Sequence, residues 1–205
     1  MNVTFDEPSH TYRIDGVEVP SVTQCLQLLD PFQKVDRAVL EAARSFGHHV
    51  HKAMALLLKD KLNWSALDPA LVPYIEGGAE FLRLNPDFLV TAVEKVVFSK
   101  SLGVAGTIDL TAEDEHRSYV IEWKATADQP WTAGPQTAAY ERLLSVDAAL
   151  NREARFAERI GRTRRLCVVL KPGRYDTVVL SDPADWNTFL SCLNVTKARW
   201  KHGIR

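Results

Sequence analysis

The sequence is poor in several features that mark whole classes of protein. Its 205 residues include three cysteines, Cys25, Cys167 and Cys192, and none of them forms a C-x-x-C pair. Each cysteine lies among apolar neighbours, so we expect buried free thiols. No stretch reaches the roughly 18 apolar residues of a membrane span, and no signal peptide opens the chain. These absences predict a cytoplasmic protein that has no membrane partner.

The chain also lacks a large net charge of either sign. It carries 25 Lys and Arg against 26 Asp and Glu, so its formal charge is −1. There is no global basic field, and any binding of nucleic acid therefore needs a local basic patch. The chain has no internal repeat and no low-complexity linker. We predict a single domain over residues 1–205, with an N-terminal hairpin in 1–20, a helical part in 21–90, and a sheet core with a C-terminal helix in 91–205.

The most informative stretch contains two predicted strands joined by a polar turn, over residues 104–110 and 119–124. Glu122 and Lys124 are two residues apart, so they share one face of the second strand. Asp109 lies near the end of the first strand, and a hairpin would bring all three side chains to one edge of the sheet. Two carboxylates at such an edge can bind a hard divalent cation, and a lysine beside them can orient or deprotonate a water. Taken alone, E-x-K also fits a surface salt bridge at a strand end.

The combined pattern of motifs is more specific for one kind of protein than any single motif in it. The chain reads G-T-I-D, then after a dozen residues two apolar residues and E-x-K, and then Q-x-x-x-Y. This pattern resembles the PD-(D/E)XK nuclease superfamily, specifically its RecB-like and phage exonuclease branch. The resemblance implies that Asp109 and Glu122 are metal-binding carboxylates and that Lys124 is the catalytic lysine. It also matches Gln136 and Tyr140 to the helix motif of the branch.

Further residues around this stretch have two interpretations each. Gln136 and Tyr140 are neighbours on one face of a helix predicted over 133–150, where they can hold a phosphate or lock the catalytic strand. Glu94, in a strand predicted over 91–100, resembles a recurring glutamate of the branch. Its carboxylate either approaches the metal through a water or pairs with a lysine.

A long amphipathic helix is predicted over residues 35–61. Gly47 and His51 lie one turn apart on one face of it, and G-x-x-x-H is similar to the first-helix motif of the branch. The resemblance makes His51 a metal ligand, together with the backbone carbonyl of Trp123. Because a mid-helix glycine costs about 1 kcal/mol against alanine, we expect something to approach the helix closely at Gly47.

Residues 151–175 form the one basic segment, with eight Lys and Arg against two Glu. Such a run is either a solvated face or a track for DNA phosphates. On the second interpretation Arg162, Arg164 and Arg165 are candidate DNA-binding residues.

The predicted order of elements is helices, three strands, a helix, two strands and a helix, which indicates an α/β protein. The resemblance implies a restriction-endonuclease-like αβββαβ core, with a mixed central sheet flanked by helices. It implies a deoxyribonuclease that uses Mg²⁺ or Mn²⁺ and water to hydrolyse phosphodiester bonds. An iron–sulfur cluster, which some members of the branch carry, needs four cysteines and is not expected.

The opening residues 5–23 are similar to those of phage-encoded exonucleases, which favours an exonuclease acting in recombination or DNA processing. DNA is the expected partner, and a recombination protein or a second copy of the chain are open alternatives. Three other functions also fit the sequence. They are a structure-specific endonuclease of the same fold, a catalytically silent module that binds DNA ends or a protein, and a metal-dependent hydrolase of another phosphate ester.

Overall fold

The computed structural model describes residues 2–29, 35–126, 130–151 and 163–204. The described chain contains a small N-terminal sheet and a larger mixed sheet with helices on both faces. Its first elements are β1 (Val3–Asp6), β2 (Thr11–Ile14), β3 (Val17–Val19) and α1 (Val22–Leu26).

Local sequence signals determine how these first elements are connected. Asp15 and Gly16 both have positive φ, 48° and 84°, as the tight turn between β2 and β3 requires. Ser21 is the N-cap of α1, and its hydroxyl accepts a hydrogen bond from the Gln24 backbone N–H. The Gln24 side chain in turn accepts one from the Ser21 backbone N–H, which completes a capping box.

Two longer helices precede the main sheet: α2 (Arg37–Leu58) and α3 (Val72–Leu84). Asp36 caps α2 by accepting hydrogen bonds from the backbone N–H groups of Ala38 and Val39. The observed α2 is shorter at both ends than the predicted 35–61.

The rest of the described chain builds the main sheet and two helices. These elements are β4 (Leu89–Ser99), β5 (Val104–Glu113), β6 (Ser118–Lys124), α4 (Ala133–Asn151), β7 (Thr163–Lys171), β8 (Arg174–Leu180) and α5 (Asp185–Lys201). The strand order is β4-β5-β6-β7-β8, with β6 and β7 parallel and the other pairs antiparallel. The predicted α/β fold with a mixed central sheet is confirmed, and α3-β4-β5-β6-α4-β7 follows the predicted αβββαβ order.

The two faces of the main sheet carry separate hydrophobic clusters. On one face, α1, α4 and α5 pack against residues that include Ile108 and Val120. On the other face, α2 and α3 pack against residues that include Leu110, Ile121 and Trp123. Strand β6 is therefore buried on both sides, as expected of a strand in a parallel pair covered by helices.

All three cysteines are buried and have free thiols. Of the helices in the described ranges, none combines the length and the apolar character that crossing a lipid bilayer would take.

Arg165 on β7 has a structural position that its sequence context did not indicate. Its guanidinium is buried and donates to an Asp185 carboxylate oxygen at 2.9 Å and to the Gly134 carbonyl at 2.9 Å. A Cβ added at Gly134 would lie 2.4 Å from the same carboxylate, so glycine is required there. This cation ties β7 to the first turns of α4 and α5, so the guanidinium that was predicted to contact DNA is engaged within the protein.

Replacing Arg165 should destabilise the fold. Arg165→Ala leaves the Asp185 carboxylate buried without its counter-charge, which should lower the free energy of unfolding by about 3–5 kcal/mol in a urea titration. Arg164→Ala is the matched control, since Arg164 is the neighbouring arginine on β7 and is exposed. It should change the free energy by no more than about 0.5 kcal/mol. Equal stability of the two variants would contradict a structural role for Arg165.

Candidate metal centre

The candidate site forms where β5 and β6 stop pairing. Their antiparallel register ends at Leu110 opposite Ile121, so Asp109 and Glu122 are the first residues beyond the paired segment. From that point β5 continues beside β4, and β6 continues beside β7. The two carboxylates therefore lie between diverging strands.

Three side chains from three elements converge in this space. The ligand atoms of His51 on α2, Asp109 on β5 and Glu122 on β6 all lie within 4.8 Å of one another. Asp109 and Glu122 are buried, and His51 is partly buried. Among the described residues this is the group whose chemistry and spacing suit a bound metal ion.

The Asp109 carboxylate is held by one side chain and by one backbone group. One carboxylate oxygen lies 2.9 Å from Nδ1 of His51, and the other accepts a hydrogen bond from the Trp123 backbone N–H at 2.9 Å. Burial opposes ionisation of Asp109, but His51, Lys124 and the Trp123 N–H lower its pKa below the usual value. Burial likewise opposes the charged form of His51, but the neighbouring carboxylates raise the pKa of its imidazole. Each of these two groups therefore favours the charged form of the other.

Glu122 has one oxygen that is fully engaged and one that is not. Its Oε1 accepts hydrogen bonds from Lys124 Nζ and Gln136 Nε2, both at 2.7 Å. Its Oε2 is buried and has no hydrogen-bond partner among the described residues. Burial, followed by the charge of Asp109, raises the pKa of Glu122 to about 7.

The unpartnered Oε2 of Glu122 indicates whether the site suits a metal ion. A buried carboxylate oxygen without a donor is unfavourable unless it is protonated or binds a cation. Two carboxylates and one imidazole are ligands that Mg²⁺ and Mn²⁺ accept. The residues of the site therefore fit a divalent metal ion.

Lys124 and Gln136 form a partly buried bridge from β6 to α4. The Lys124 ammonium lies 2.7 Å from Glu122 Oε1 and 3.0 Å from the Gln136 side-chain oxygen. Although burial disfavours its charge, Glu122 and Asp109 raise the pKa of Lys124 above the usual value. The Gln136 amide nitrogen also donates to the Tyr140 hydroxyl at 3.3 Å. Both ends of the Gln136 amide are thus used in holding Glu122 and Lys124.

Tyr140 is buried against β5, where Gly106 makes room for it. A Cβ added at Gly106 would lie 2.8 Å from the Tyr140 ring and 3.2 Å from Val22. The ring therefore lies directly on the strand that carries Asp109.

Glu94 lies beside the site but outside the three-residue group. The register pairs Val93 with Leu110 and Lys95 with Ile108, which sets Glu94 opposite Asp109. Glu94 has a φ of 55°, a conformation that costs energy for a non-glycine residue within a strand. Desolvation, followed by the charge of Asp109, raises the pKa of Glu94 to about 7.

One neighbour of the site was not predicted to be there. The Tyr12 hydroxyl lies 2.7 Å from the Thr107 hydroxyl, and Thr107 is two residues before Asp109 on β5. No local sequence pattern indicates this contact, because Tyr12 and Thr107 are 95 residues apart in the chain. This contact brings the N-terminal sheet to the edge of the metal centre.

Among the described residues, two of the predicted DNA-binding arginines lie away from the group. Arg164 is exposed on β7, and Arg165 is buried in the ion pair with Asp185. Arg162 lies outside the described residues. The Trp123 backbone adjoins the site through its N–H, and its indole packs between the sheet and α3.

Comparison with known proteins gives structural similarity alone. No family model matches the chain, and a search among curated proteins also gives no match. Among solved structures, the chain is similar to LHK-Exo in complex with dAMP, with a TM-score of 0.43 and 11% identity over 91% of this chain and 89% of that one. It is also similar to SSO0001, with a TM-score of 0.38 and 18% identity over 63% of this chain. The chain spans about 60% of the length of SSO0001.

Proposed function

We propose that the protein is a metal-dependent nuclease that hydrolyses phosphodiester bonds in DNA. The observation that carries this proposal is the buried group of His51, Asp109 and Glu122 with the Lys124 ammonium beside it. A carboxylate pair next to a fixed ammonium suits the hydrolysis of a phosphate ester, because the substrate and the transition state are both anionic.

In this proposal His51, Asp109 and Glu122 hold Mg²⁺ or Mn²⁺, and the Trp123 carbonyl is a further ligand. When bound, the ion polarises the phosphate and lowers the pKa of a water. The chain must first release the proton shared by the His51–Asp109 pair, so metal binding should strengthen as the pH rises.

Lys124 has the position and the protonation state to direct a water. An ammonium has three N–H donors, and two of them are used by Glu122 and Gln136. The third can donate to the attacking water or to a phosphate oxygen. Gln136 and Tyr140 support this geometry from α4, and Glu94 would approach the ion through a water.

For the substrate we propose DNA acted on by a phage-type exonuclease, with Arg164 and Arg162 as phosphate contacts. One assay tests the whole assignment, using linear duplex, circular duplex and single-stranded DNA with Mg²⁺, Mn²⁺ or EDTA. We expect linear DNA to be degraded and circular duplex to be spared, with no cleavage in EDTA. Cleavage of circular duplex would indicate an endonuclease. No cleavage by the folded protein in either metal would reject the nuclease.

Loss of the Lys124 ammonium should stop cleavage without unfolding the protein. Lys124→Met keeps much of the side-chain volume, and kcat should fall by about 10²- to 10⁴-fold because the water loses its positioned donor. Lys171→Met is the matched control, since this lysine is 21% exposed against 18% for Lys124 and also pairs with a carboxylate. Wild-type kcat in folded Lys124→Met protein would remove Lys124 from the reaction.

Loss of the His51 imidazole should weaken metal binding more than DNA binding. His51→Ala removes a ligand that adds no negative charge, so the Mn²⁺ concentration for half-maximal rate should rise by roughly 10- to 100-fold. The control is His49→Ala, an exposed histidine on the same helix. A metal titration that coincides with wild type would exclude His51 as a ligand.

The raised pKa of Glu122 predicts how stability without metal depends on pH. Because this pKa, about 7, lies above its unfolded value, the protonated carboxyl stabilises the fold fully below the unfolded value, and this contribution is lost as pH rises through about 7. Glu122→Gln mimics the protonated form and does not titrate. In EDTA, its Tm relative to wild type should therefore increase from about pH 5 to about pH 8. A constant difference in Tm would mean that the pKa of Glu122 is not raised.

A further inference from the structure

The main sheet ends in two edge strands, β4 and β8, which differ in regularity. β4 has a register shift between Val90 and Ala92 and a positive φ at Glu94, and such irregularities hinder the addition of another strand. β8 pairs with β7 in an unbroken register over all seven of its residues. Among the described residues, no strand pairs with its outer edge. Residues 177–180 of β8 also contain no charge, proline or glycine that would prevent such pairing.

The turn between β7 and β8 determines which backbone groups of β8 point outward. This turn has two residues, so the N–H of Arg174 points back to β7. The direction of hydrogen bonding alternates along an antiparallel strand, so the even-numbered residues of β8 bond to β7. The N–H and C=O groups of Tyr175, Thr177 and Val179 therefore point away from the sheet.

Exposed apolar surface lies along the same edge. Val179 and Trp131 are 53% and 54% exposed, and both line a cleft of about 290 Å³ beside β8. Tyr175 lies on the same face of the strand as Val179, because residues an even number apart share a face. An unpaired edge with apolar side chains beside it is a template for association with another strand.

We propose that β8 is the contact surface for a second copy of this chain, with the two β8 strands paired antiparallel about a twofold axis at Thr177. In this register Thr177 of one copy lies opposite Thr177 of the other. Tyr175 of each copy lies opposite Val179 of the other. All three outward-facing residues of each strand then pair, which gives about six backbone hydrogen bonds. The main sheets of the two copies become one continuous sheet.

A second copy suits this edge because β8 is complementary to itself. The exposed side chain of Val179 packs against the ring of Tyr175 of the other copy, and cross-strand pairs of an aromatic and a β-branched residue are favourable. The twofold axis forms this contact twice. Trp131, in the cleft beside β8, is then next to the added strand.

The charges near the two ends of β8 are also complementary in this arrangement. Arg174 begins the strand and Asp182 follows its end, and both are exposed. Antiparallel pairing sets Arg174 opposite Leu180 of the other copy, where its long side chain reaches the Asp182 that follows. The two Asp176 carboxylates approach each other, but each is paired with Lys171 of its own chain at 2.6 Å.

The first test measures association in the metal-free protein without DNA. In analytical ultracentrifugation from about 1 µM to about 1 mM, wild-type protein should pass from monomer to dimer. Val179→Lys places a charge opposite each Tyr175 and should raise the Kd of the dimer by at least about tenfold. Val17→Lys is the matched control, since Val17 is 67% exposed on β3, an edge strand of the N-terminal sheet. It should leave the Kd unchanged, and both variants should keep the wild-type Tm because both valines are exposed.

The second test locates the contact in wild-type protein by hydrogen exchange. The outward amides of Tyr175, Thr177 and Val179 should exchange quickly in dilute protein and slowly in concentrated protein. The amides of Asp176 and Val178, which bond to β7, should exchange slowly at both concentrations.

The outcomes are decisive whether or not the protein is a nuclease, because neither test involves DNA or a metal. A monomer over the whole concentration range would overturn the proposal. So would a dimer that Val179→Lys forms as readily as wild type, or outward amides whose exchange does not depend on concentration. A weaker dimer with Val179→Lys but not with Val17→Lys, together with concentration-dependent protection of the outward amides, supports the proposal.

Discussion

The candidate site depends on the divergence of β5 from β6 beyond the pair of Leu110 with Ile121. Without this divergence, the backbone hydrogen bonds between β5 and β6 would continue beyond that pair. Instead the Asp109 carboxylate accepts the Trp123 backbone N–H, so a side chain takes the place of a strand partner. The substitution satisfies the backbone and brings a carboxylate into the interior of the sheet. The neighbours described around the site, from His51 to Gln136, are arranged about this opening.

The surroundings of the two carboxylates shift their pKa values in opposite directions. Asp109 has a histidine and a backbone donor beside it, and its pKa is lowered. Glu122 has the ammonium on one oxygen and no partner on the other, and its pKa is raised to about 7. Two buried carboxylates this close are costly to ionise together, and the charges of Lys124 and His51 offset only part of that cost. The metal-free protein therefore holds protons where the proposed metal ion would bind.

Much of this arrangement could be predicted from the sequence, because it follows from short spacings. E-x-K set Glu122 and Lys124 on one face, and the order of strands and helices indicated the α/β fold. The burial of individual side chains and the backbone conformation of individual residues could not be predicted. Arg165 belongs to a basic run, but its burial depends on Asp185, twenty residues later. Glu94 adopts a positive φ opposite Asp109, and no local pattern signals it. The periodicity of a sequence indicates which face of a strand or helix a side chain occupies. It does not indicate which other residues pack against that face.

The Lys124–Gln136 bridge also links the site to the folding of the whole chain. Gln136 belongs to α4, the helix that connects the parallel strands β6 and β7, and His51 lies 58 residues before Asp109. Contacts over such separations form only when most of the chain is already organised. A nascent or partly unfolded chain therefore has its reactive side chains dispersed. The proposed activity would then require the folded tertiary structure and would be lost when that structure is lost.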